Sequence, residues 1–277
     1  MMRAFFHGLL AGACALAGCG LAPAGTPVAK PRVLVGRVAA KAMPAGYYKG
    51  TEGLQGQLLL RALHNVVARH KDLGYDNARD VMFADVDDPD NDDVVSCVYI
   101  GRALDRVRDR GSAFRNGNGL NAEHTWPQSK GAAGAAKADL HHLFPADVKA
   151  NGIRGSYPFG VVSRPEWSDG GSVLGRNTSQ QRVFQPRSKQ WGDTARAIFY
   201  FYTVYGLSGR LDLSNFRIEE PVLRRWHEQD PPSAEERLRN DAVFAVQGNR
   251  NPYVDHPEFV ARVGAFLRPD LGKQQAR

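Results

Sequence analysis

Two neighbouring stretches, NAEHTWPQSKG at residues 121–131 and DLHHLFPADVKANGIRG at residues 139–155, decide the fold prediction for this chain. The first stretch is predicted to hold a strand that includes Glu123 and His124. Residues 139–147 are predicted to form a second strand and the segment that leaves it, and residues 148–154 to begin a short helix. Consecutive strand residues point to opposite faces, so Glu123 and His124 can share one site only at a bulge or a strand end. We therefore expect a β, β, α arrangement with irregular backbone at this pair.

Three residue types in these stretches carry the chemistry. Glu123 offers a carboxylate oxygen, Asn151 an amide oxygen, and His124 a base whose ordinary pKa lies near neutrality. Hard cations such as Mg²⁺ take oxygen ligands, and an imidazole can take the proton of an attacking water. These residues therefore suit phosphodiester hydrolysis assisted by one Mg²⁺-like ion.

The two stretches resemble the bacterial endonuclease I family, secreted or periplasmic nucleases of the His-Me finger (ββα-metal) type. The likeness continues in four further motifs: WGDTARAIFY at 191–200, WHEQDPP at 226–232, RND at 239–241 and QGNRNPYVDHP at 247–257. An ordered series of specific motifs argues against chance agreement. The resemblance implies an α+β fold, with a ββα-metal core embedded in a mainly helical single domain.

The resemblance also implies roles for individual residues. Glu123 and Asn151 are expected to bind the metal, which is Mg²⁺ with Mn²⁺ or Ca²⁺ as substitutes. His124 is expected to act as the general base. Arg154 is expected at the catalytic centre, where it either clamps a phosphate or pairs with a carboxylate. The implied activity is cleavage of DNA, and of RNA as well, with little sequence preference and with 5′-phosphate ends.

Basic residues of the connecting loop are the predicted nucleic-acid contacts. The family often supplies a product-stabilising arginine from the loop between the two stretches. Here that loop holds Lys130 and Lys137 but no arginine. We therefore predict that Lys130 and Lys137 contact nucleic acid, and the identity of the product-stabilising residue stays open.

Three further polar residues are predicted to support the site from behind. His141 and His142 should lie on opposite faces of the second strand, so only one of them can face the site. We assign His141 to that position. Asn249 and Arg250 either brace the active-site loops or touch phosphate, and bracing is the role we predict.

The charge distribution is compatible with a polyanionic partner. The chain has 36 Lys and Arg against 29 Asp and Glu, a net charge of +7. Between Arg115 and Arg196 there are eleven basic and six acidic side chains, a net +5 in the segment that holds the predicted site. A solvated basic surface is the alternative explanation.

The N-terminal residues read as an export signal. Residues 1–18 combine Arg3 with a mostly apolar stretch, and Leu16-Ala-Gly-Cys19 resembles a lipoprotein cleavage box in which Cys19 becomes the lipidated residue. An ordinary signal cleaved after Ala22-Pro-Ala24 is the alternative. The predicted location is the outer membrane or cell surface through a lipid anchor, and otherwise the periplasm or the medium.

Residues 19–44 are predicted to be a flexible tether, 45–269 an endonuclease I-like domain that acts as a monomer, and 270–277 a basic tail. Cys97 is the one cysteine of the predicted domain, which excludes an internal disulfide there. In this the chain departs from the disulfide-rich secreted members of the family. We predict that Cys97 is a small buried residue.

Outside the motifs, apolar periodicity predicts helices and one strand. Helices are expected over 54–70, over 195–205 with Asp193 as the cap, over 219–229, from Ser233 to Val246, and over 257–267. A strand is expected near 94–100, with loops and short strands over 158–189.

Two other functions remain open for this sequence. One is a DNA-binding or anchoring protein that has the fold but little turnover. The presence of Glu123, His124 and Asn151 together argues against it. The other is a small-molecule phosphoesterase, which needs a closed pocket rather than an open basic groove.

Overall fold

The computed structural model describes residue 41 and residues 43–267, and in these ranges helices alternate with small antiparallel sheets. The helices are α1 (Gly56–Val67), α2 (Tyr75–Val81), α3 (Arg110–Phe114), α4 (Val148–Arg154), α5 (Trp191–Tyr205), α6 (Ser214–Gln229), α7 (Ala234–Gln247), α8 (Pro252–Asp255) and α9 (Phe259–Val263). The strands are β1 (Val95–Ser96), β2 (Ala103–Leu104), β3 (Leu120–His124), β4 (Leu143–Asp147), β5 (Arg164–Asp169), β6 (Ser172–Arg176) and β7 (Arg182–Gln185). They form three sheets, β1–β2, β3–β4 and β5–β6–β7. The predicted α+β class is confirmed.

Helix α5 lies at the centre of the core and supports the site. Its sequence is apolar on most sides, which is typical of a helix enclosed by other elements, and it packs against α1 and α6. Trp126 stacks on Phe201 of this helix with 5.1 Å between ring centroids. His142 packs on the same Phe201 ring at 4.5 Å. The loop between β3 and β4 is therefore anchored on α5 by aromatic contacts.

The quoted stretches form two strands and a helix in direct succession. Strands β3 and β4 pair antiparallel, from Leu120 opposite Asp147 to His124 opposite Leu143. Asp147 then caps α4, because its side chain accepts hydrogen bonds from the backbone N–H groups of Lys149 (2.9 Å) and Ala150 (3.1 Å). This arrangement brings Asn151, one turn into α4, beside Asn121 and Ala122 of β3.

Several element predictions are confirmed. Helix α1 lies within the predicted range 54–70 and buries Leu59, Leu63 and Val67, which belong to the periodic apolar set, although Leu58 of that set is exposed. Helix α7 begins after Ser233, whose hydroxyl accepts a hydrogen bond of 3.1 Å from the Glu236 N–H. Cys97 is buried and free.

Three other predictions were wrong in their boundaries. Helix α5 starts at Trp191 with Gln190 as its cap, and Asp193 lies in the first turn instead. The strand expected over 94–100 is only β1, because the chain turns back and Gly101 takes a left-handed φ of 72°. The last predicted helix, 257–267, is only α9 (Phe259–Val263), which ends where Gly264 takes a left-handed φ of 65°. Helix α8, just before it, was not predicted.

The predicted signal peptide (1–18), Cys19, most of the tether and the basic tail (270–277) lie outside the described residues. Within the described ranges, the helices are all too short or too polar to cross a bilayer.

Candidate active site

A groove of about 620 Å³ opens where the end of β3, the following loop and α4 meet. The groove is lined by residues that include Asn121, Glu123, His124, Gln128, Asn151 and Arg154. Glu123 and His124 both reach it because His124 is the last residue of β3, with regular pairing up to that point. The side chains of Glu123 and His124 therefore reach one groove because the strand ends at His124, and not because of a bulge.

Glu123 is a buried carboxylate held by an arginine. Its side chain is 3% exposed, and its Oε1 lies 3.2 Å from Nε of Arg154. Among the described residues, this oxygen makes no hydrogen bond of good geometry. Burial raises the pKa of Glu123, and the positive charge of Arg154 opposes that rise. Arg154 thus favours the ionised form that a cation would need.

His124 is held with its lone pair on one defined nitrogen. Its Nε2 lies 3.1 Å from the backbone oxygen of Lys137. Because a carbonyl oxygen can only accept, the neutral ring carries its hydrogen on Nε2, and Nδ1 keeps the lone pair. Gln128, which also lines the groove, places its Nε2 3.4 Å from Nδ1. The geometry therefore supplies a proton acceptor at the groove.

The surroundings of His124 keep it neutral. Burial, and to a smaller extent the neighbouring His142, lower the pKa of His124 to about 3. The ring is therefore uncharged at neutral pH and keeps its lone pair, and with so low a pKa it is a weak base in this state. An anionic substrate in the groove would raise this pKa, because a nearby negative charge favours the imidazolium.

The histidine behind His124 is His142, so the assignment of His141 to that position was wrong. The rings of His124 and His142 lie 5.3 Å apart, and His142 directs its Nε2 to the Ala136 oxygen at 2.7 Å. His141 points the other way, packing on Tyr200 at 4.4 Å. The predicted strand 139–147 begins only at Leu143, so both histidines lie in the turn before β4 and strand alternation does not apply to them.

Asn151 is oriented by a residue that the sequence analysis quoted but gave no role. Its Nδ2 donates to Oδ1 of Asn121 at 2.8 Å. With its NH₂ group engaged there, the amide leaves its oxygen as the available group. Asn121 therefore fixes which end of Asn151 can meet a cation, and its place at the start of the NAEH motif was the one signal for it.

Arg154 takes the structural alternative of its two predicted roles. It is 1% exposed, and it donates to the backbone oxygens of Gly155 (2.7 Å) and Thr125 (2.8 Å) while Nε faces Glu123. Its guanidinium also lies over Phe159, 4.6 Å from the ring centroid. Arg154 braces the Glu123 carboxylate in this geometry rather than presenting free donors to a phosphate.

The two loop lysines are both engaged with protein groups. Lys130 forms an ion pair of 2.7 Å with Asp212 and donates to the Ser214 hydroxyl at 2.9 Å. Lys137 lies over the Tyr75 ring, 4.2 Å from its centroid. Neither lysine is among the residues that line the groove. To contact nucleic acid as predicted, each lysine would have to leave its protein partner.

Asn249 and Arg250 brace the fold away from the groove. Asn249 donates to the Val67 backbone oxygen at 2.8 Å, and its backbone oxygen lies 3.0 Å from Nε2 of His141. Arg250 grips Asp255 through two hydrogen bonds of 2.7 Å. These bonds fit the bracing role that we predicted from the sequence in preference to a phosphate contact. They do not directly involve Glu123 or His124.

The donor set of the groove fits a hard divalent cation. Glu123 brings a buried carboxylate, and Asn151 an amide oxygen whose NH₂ group is already engaged. Mg²⁺-like ions take such oxygens and usually keep several waters. Among the residues that the structure describes, no group of three or more His, Cys, Asp or Glu side chains converges as a metal centre. Glu123 and Asn151 are the residues that could hold an ion here.

Known proteins match this chain over most of its length. A model of the endonuclease I family matches residues 56–258. The extracellular ribonuclease of Bacillus subtilis is 32% identical over 235 residues, which cover 78% of this chain and 77% of that protein. The periplasmic deoxyribonuclease of Aeromonas hydrophila is 32% identical over 124 residues, which cover 43% of this chain and 48% of that protein. Because the family match spans nearly the whole described region, the chain belongs to the endonuclease I family and is a nuclease.

Proposed function

We propose that this protein is a metal-dependent endonuclease that hydrolyses phosphodiester bonds with little sequence preference and leaves 5′-phosphate ends. The observation that carries the proposal is the groove in which the His124 lone pair, the Glu123 carboxylate and the Asn151 amide oxygen meet. The order β3, β4, α4 around that groove supports a ββα-metal (His-Me finger) core. We propose that this activity belongs to a monomeric domain spanning about residues 45–269, of which the family match covers residues 56–258.

In the proposed mechanism, His124 acts as the general base. Lys137 holds Nε2 through its backbone oxygen, so Nδ1 takes the proton of a water that attacks the phosphorus. Tyr75 and His142 pack against the His124 ring and keep it in place. Asn121 keeps the Asn151 amide oriented, and Arg154 favours the ionised form of Glu123 and holds its carboxylate in place. A divalent ion held by Glu123 and Asn151 would neutralise charge on the phosphate and on the leaving oxygen.

DNA and RNA are both candidate substrates. Of the two relatives given above, the one with the longer alignment is named as a ribonuclease, and the one with the shorter alignment is named as a deoxyribonuclease. The wide coverage by the ribonuclease is the specific observation that favours RNA as a second substrate. We retain DNA as the first, because it follows from the family resemblance of the motifs.

The two alternative functions predict different chemistry at the same groove. A protein that only anchors DNA would bind nucleic acid without cutting it. A small-molecule phosphoesterase would cleave small phosphate esters and leave polymers intact. His124, with the lone pair of Nδ1 directed into the groove, argues against the first, and the open cleft argues against the second.

Metal removal tests the proposed function. With Mg²⁺, we expect supercoiled plasmid to be nicked and then linearised, and labelled RNA to be shortened. A chelator should abolish both, because the ion offsets the phosphate charge, and added Mg²⁺ or Mn²⁺ should restore them. Undiminished cleavage in excess chelator would exclude the metal-dependent mechanism.

We also propose that the protein is exported, and that Cys19 carries a lipid anchor. Its relatives are named as extracellular or periplasmic enzymes, and Leu16-Ala-Gly-Cys19 supplies the cleavage box. Cys19→Ser should move the protein from the membrane fraction to the soluble fraction, because no lipid could be attached. Cys97→Ser, at a buried thiol, is the matched control and should leave partitioning unchanged. Unaltered detergent-phase partitioning of Cys19→Ser would rule out lipidation at this residue.

A further inference from the structure

A second and larger cavity, of about 1020 Å³, lies between α1, the segment that follows α5 and the first turn of α6. We call it the Arg61–Arg217 cavity, after the cations on its two walls. Its lining residues include Arg61, His64, Asn65, Leu211, Asp212 and Arg217. None of them belongs to the groove of Glu123 and His124.

The Arg61–Arg217 cavity carries uncompensated positive charge. Arg61 and Arg217 are exposed, and neither makes an ion pair or side-chain hydrogen bond with another described residue. Asp212 is the one acidic side chain among the described lining residues. The charge of Asp212 is already balanced by the ammonium group of Lys130. The hydrogen bond from Lys130 is the main reason that the pKa of Asp212 is lowered to about 2. The cavity therefore favours an anion.

The cavity and the groove share a wall. Lys130, from the loop that edges the groove, bonds Asp212 at 2.7 Å and Ser214 at 2.9 Å, and both of these residues line the cavity. On the groove side, Asn215 donates to the Ser156 backbone oxygen at 2.9 Å. A polymer that leaves the groove across this wall would meet the Arg61–Arg217 cavity next.

We propose that the Arg61–Arg217 cavity binds backbone phosphates of the same nucleic-acid strand, away from the bond that is cleaved. This inference rests on the proposed nuclease function and adds a second contact region to it. Arginine offers a planar set of donors that matches phosphate oxygens, and Asn65 can donate to phosphate as well. Leu211 gives an apolar surface on which a sugar or base can rest. Nucleic acid long enough to span both sites should therefore bind more tightly than a fragment confined to the groove.

The test is the double substitution Arg61→Ala and Arg217→Ala, with Arg225→Ala as the matched control. Arg225 is an exposed arginine of α6 that lines neither cavity. Affinity is measured by fluorescence anisotropy with a long linear DNA duplex, and with single-stranded RNA, in chelator so that nothing is cleaved. Hydrolysis of a dinucleotide phosphodiester is measured separately with Mg²⁺.

The double variant should bind the long polymers roughly 3- to 30-fold more weakly, as expected for two exposed charge contacts. For the duplex, its plot of log affinity against log salt should be shallower by about 2, one phosphate for each arginine. Dinucleotide hydrolysis and thermal stability should stay at the wild-type level. Affinity equal to that of Arg225→Ala would overturn the assignment. Because binding is measured without cleavage, an inactive wild-type protein would count against the proposed nuclease function alone.

Discussion

His124→Ala is expected to lose cleavage by about 10²–10⁴-fold, the usual contribution of general-base assistance. The reason is the defined tautomer: Nε2 is held by the Lys137 backbone oxygen, so Nδ1 is the nitrogen that accepts the proton. Steady-state cleavage at neutral pH, with folding checked by circular dichroism, measures the effect.

Two further variants separate chemistry from packing at His124. His124→Gln keeps a polar side chain that can donate to the Lys137 oxygen but cannot take a proton, so it should be as inactive as His124→Ala and more stable. His256→Ala replaces a histidine that pairs with Glu258 outside the groove, and it should cleave at the wild-type rate. Activity in His124→Gln near the wild-type level would assign His124 a structural role only.

Glu123→Ala is expected to lose both activity and stability. The substitution removes the one charged oxygen ligand of the groove, so the metal requirement should rise and cleavage should fall. It also leaves the buried guanidinium of Arg154 without its carboxylate, since the pair lies at 3.2 Å with both side chains nearly inaccessible. Removing one partner of a buried ion pair typically costs about 3–5 kcal/mol of folding free energy. Urea denaturation and cleavage across a Mg²⁺ titration measure the two effects.

The matched variant for this prediction is Glu123→Asp, which keeps the charge on a shorter side chain. Glu123→Asp should be more stable than Glu123→Ala. A raised concentration of Mg²⁺ or Mn²⁺ should also restore more cleavage activity in Glu123→Asp than in Glu123→Ala. Glu123→Ala with wild-type stability and an unchanged Mg²⁺ requirement would contradict both roles of the carboxylate.

Short-range patterns in the sequence predicted several elements, including the two strands and the helix that carry the groove. The apolar spacing of α1, the cap at Ser233 and the β, β, α order of residues 120–154 are all local features. The facing problem at Glu123 and His124 was also visible, because strand alternation is a rule of covalent geometry. The short helix that carries Asn151 follows from the capping side chain of Asp147.

Tertiary contacts decided what the sequence could not. From the sequence, Arg154 could be a phosphate clamp or an ion-pair partner, and its burial beside Glu123 is what favours the ion pair. Choosing His142 over His141 required the path of the turn before β4, which places the His142 ring beside His124. Lys130 looked like a free loop cation, and its partner Asp212 lies 82 positions away in the chain. Each of these outcomes depends on residues far apart in sequence, which periodicity does not report.

The central claim is that the groove of Glu123, His124 and Asn151 is where the nuclease reaction takes place. The most direct measurement compares nucleic-acid binding and single-turnover cleavage in wild type and His124→Ala, with enzyme in excess and at saturating Mg²⁺. We predict overlapping binding curves and a cleavage rate lower by about 10²–10⁴-fold in the variant. A well-folded His124→Ala that cleaves at nearly the wild-type rate would place the active site elsewhere in the chain.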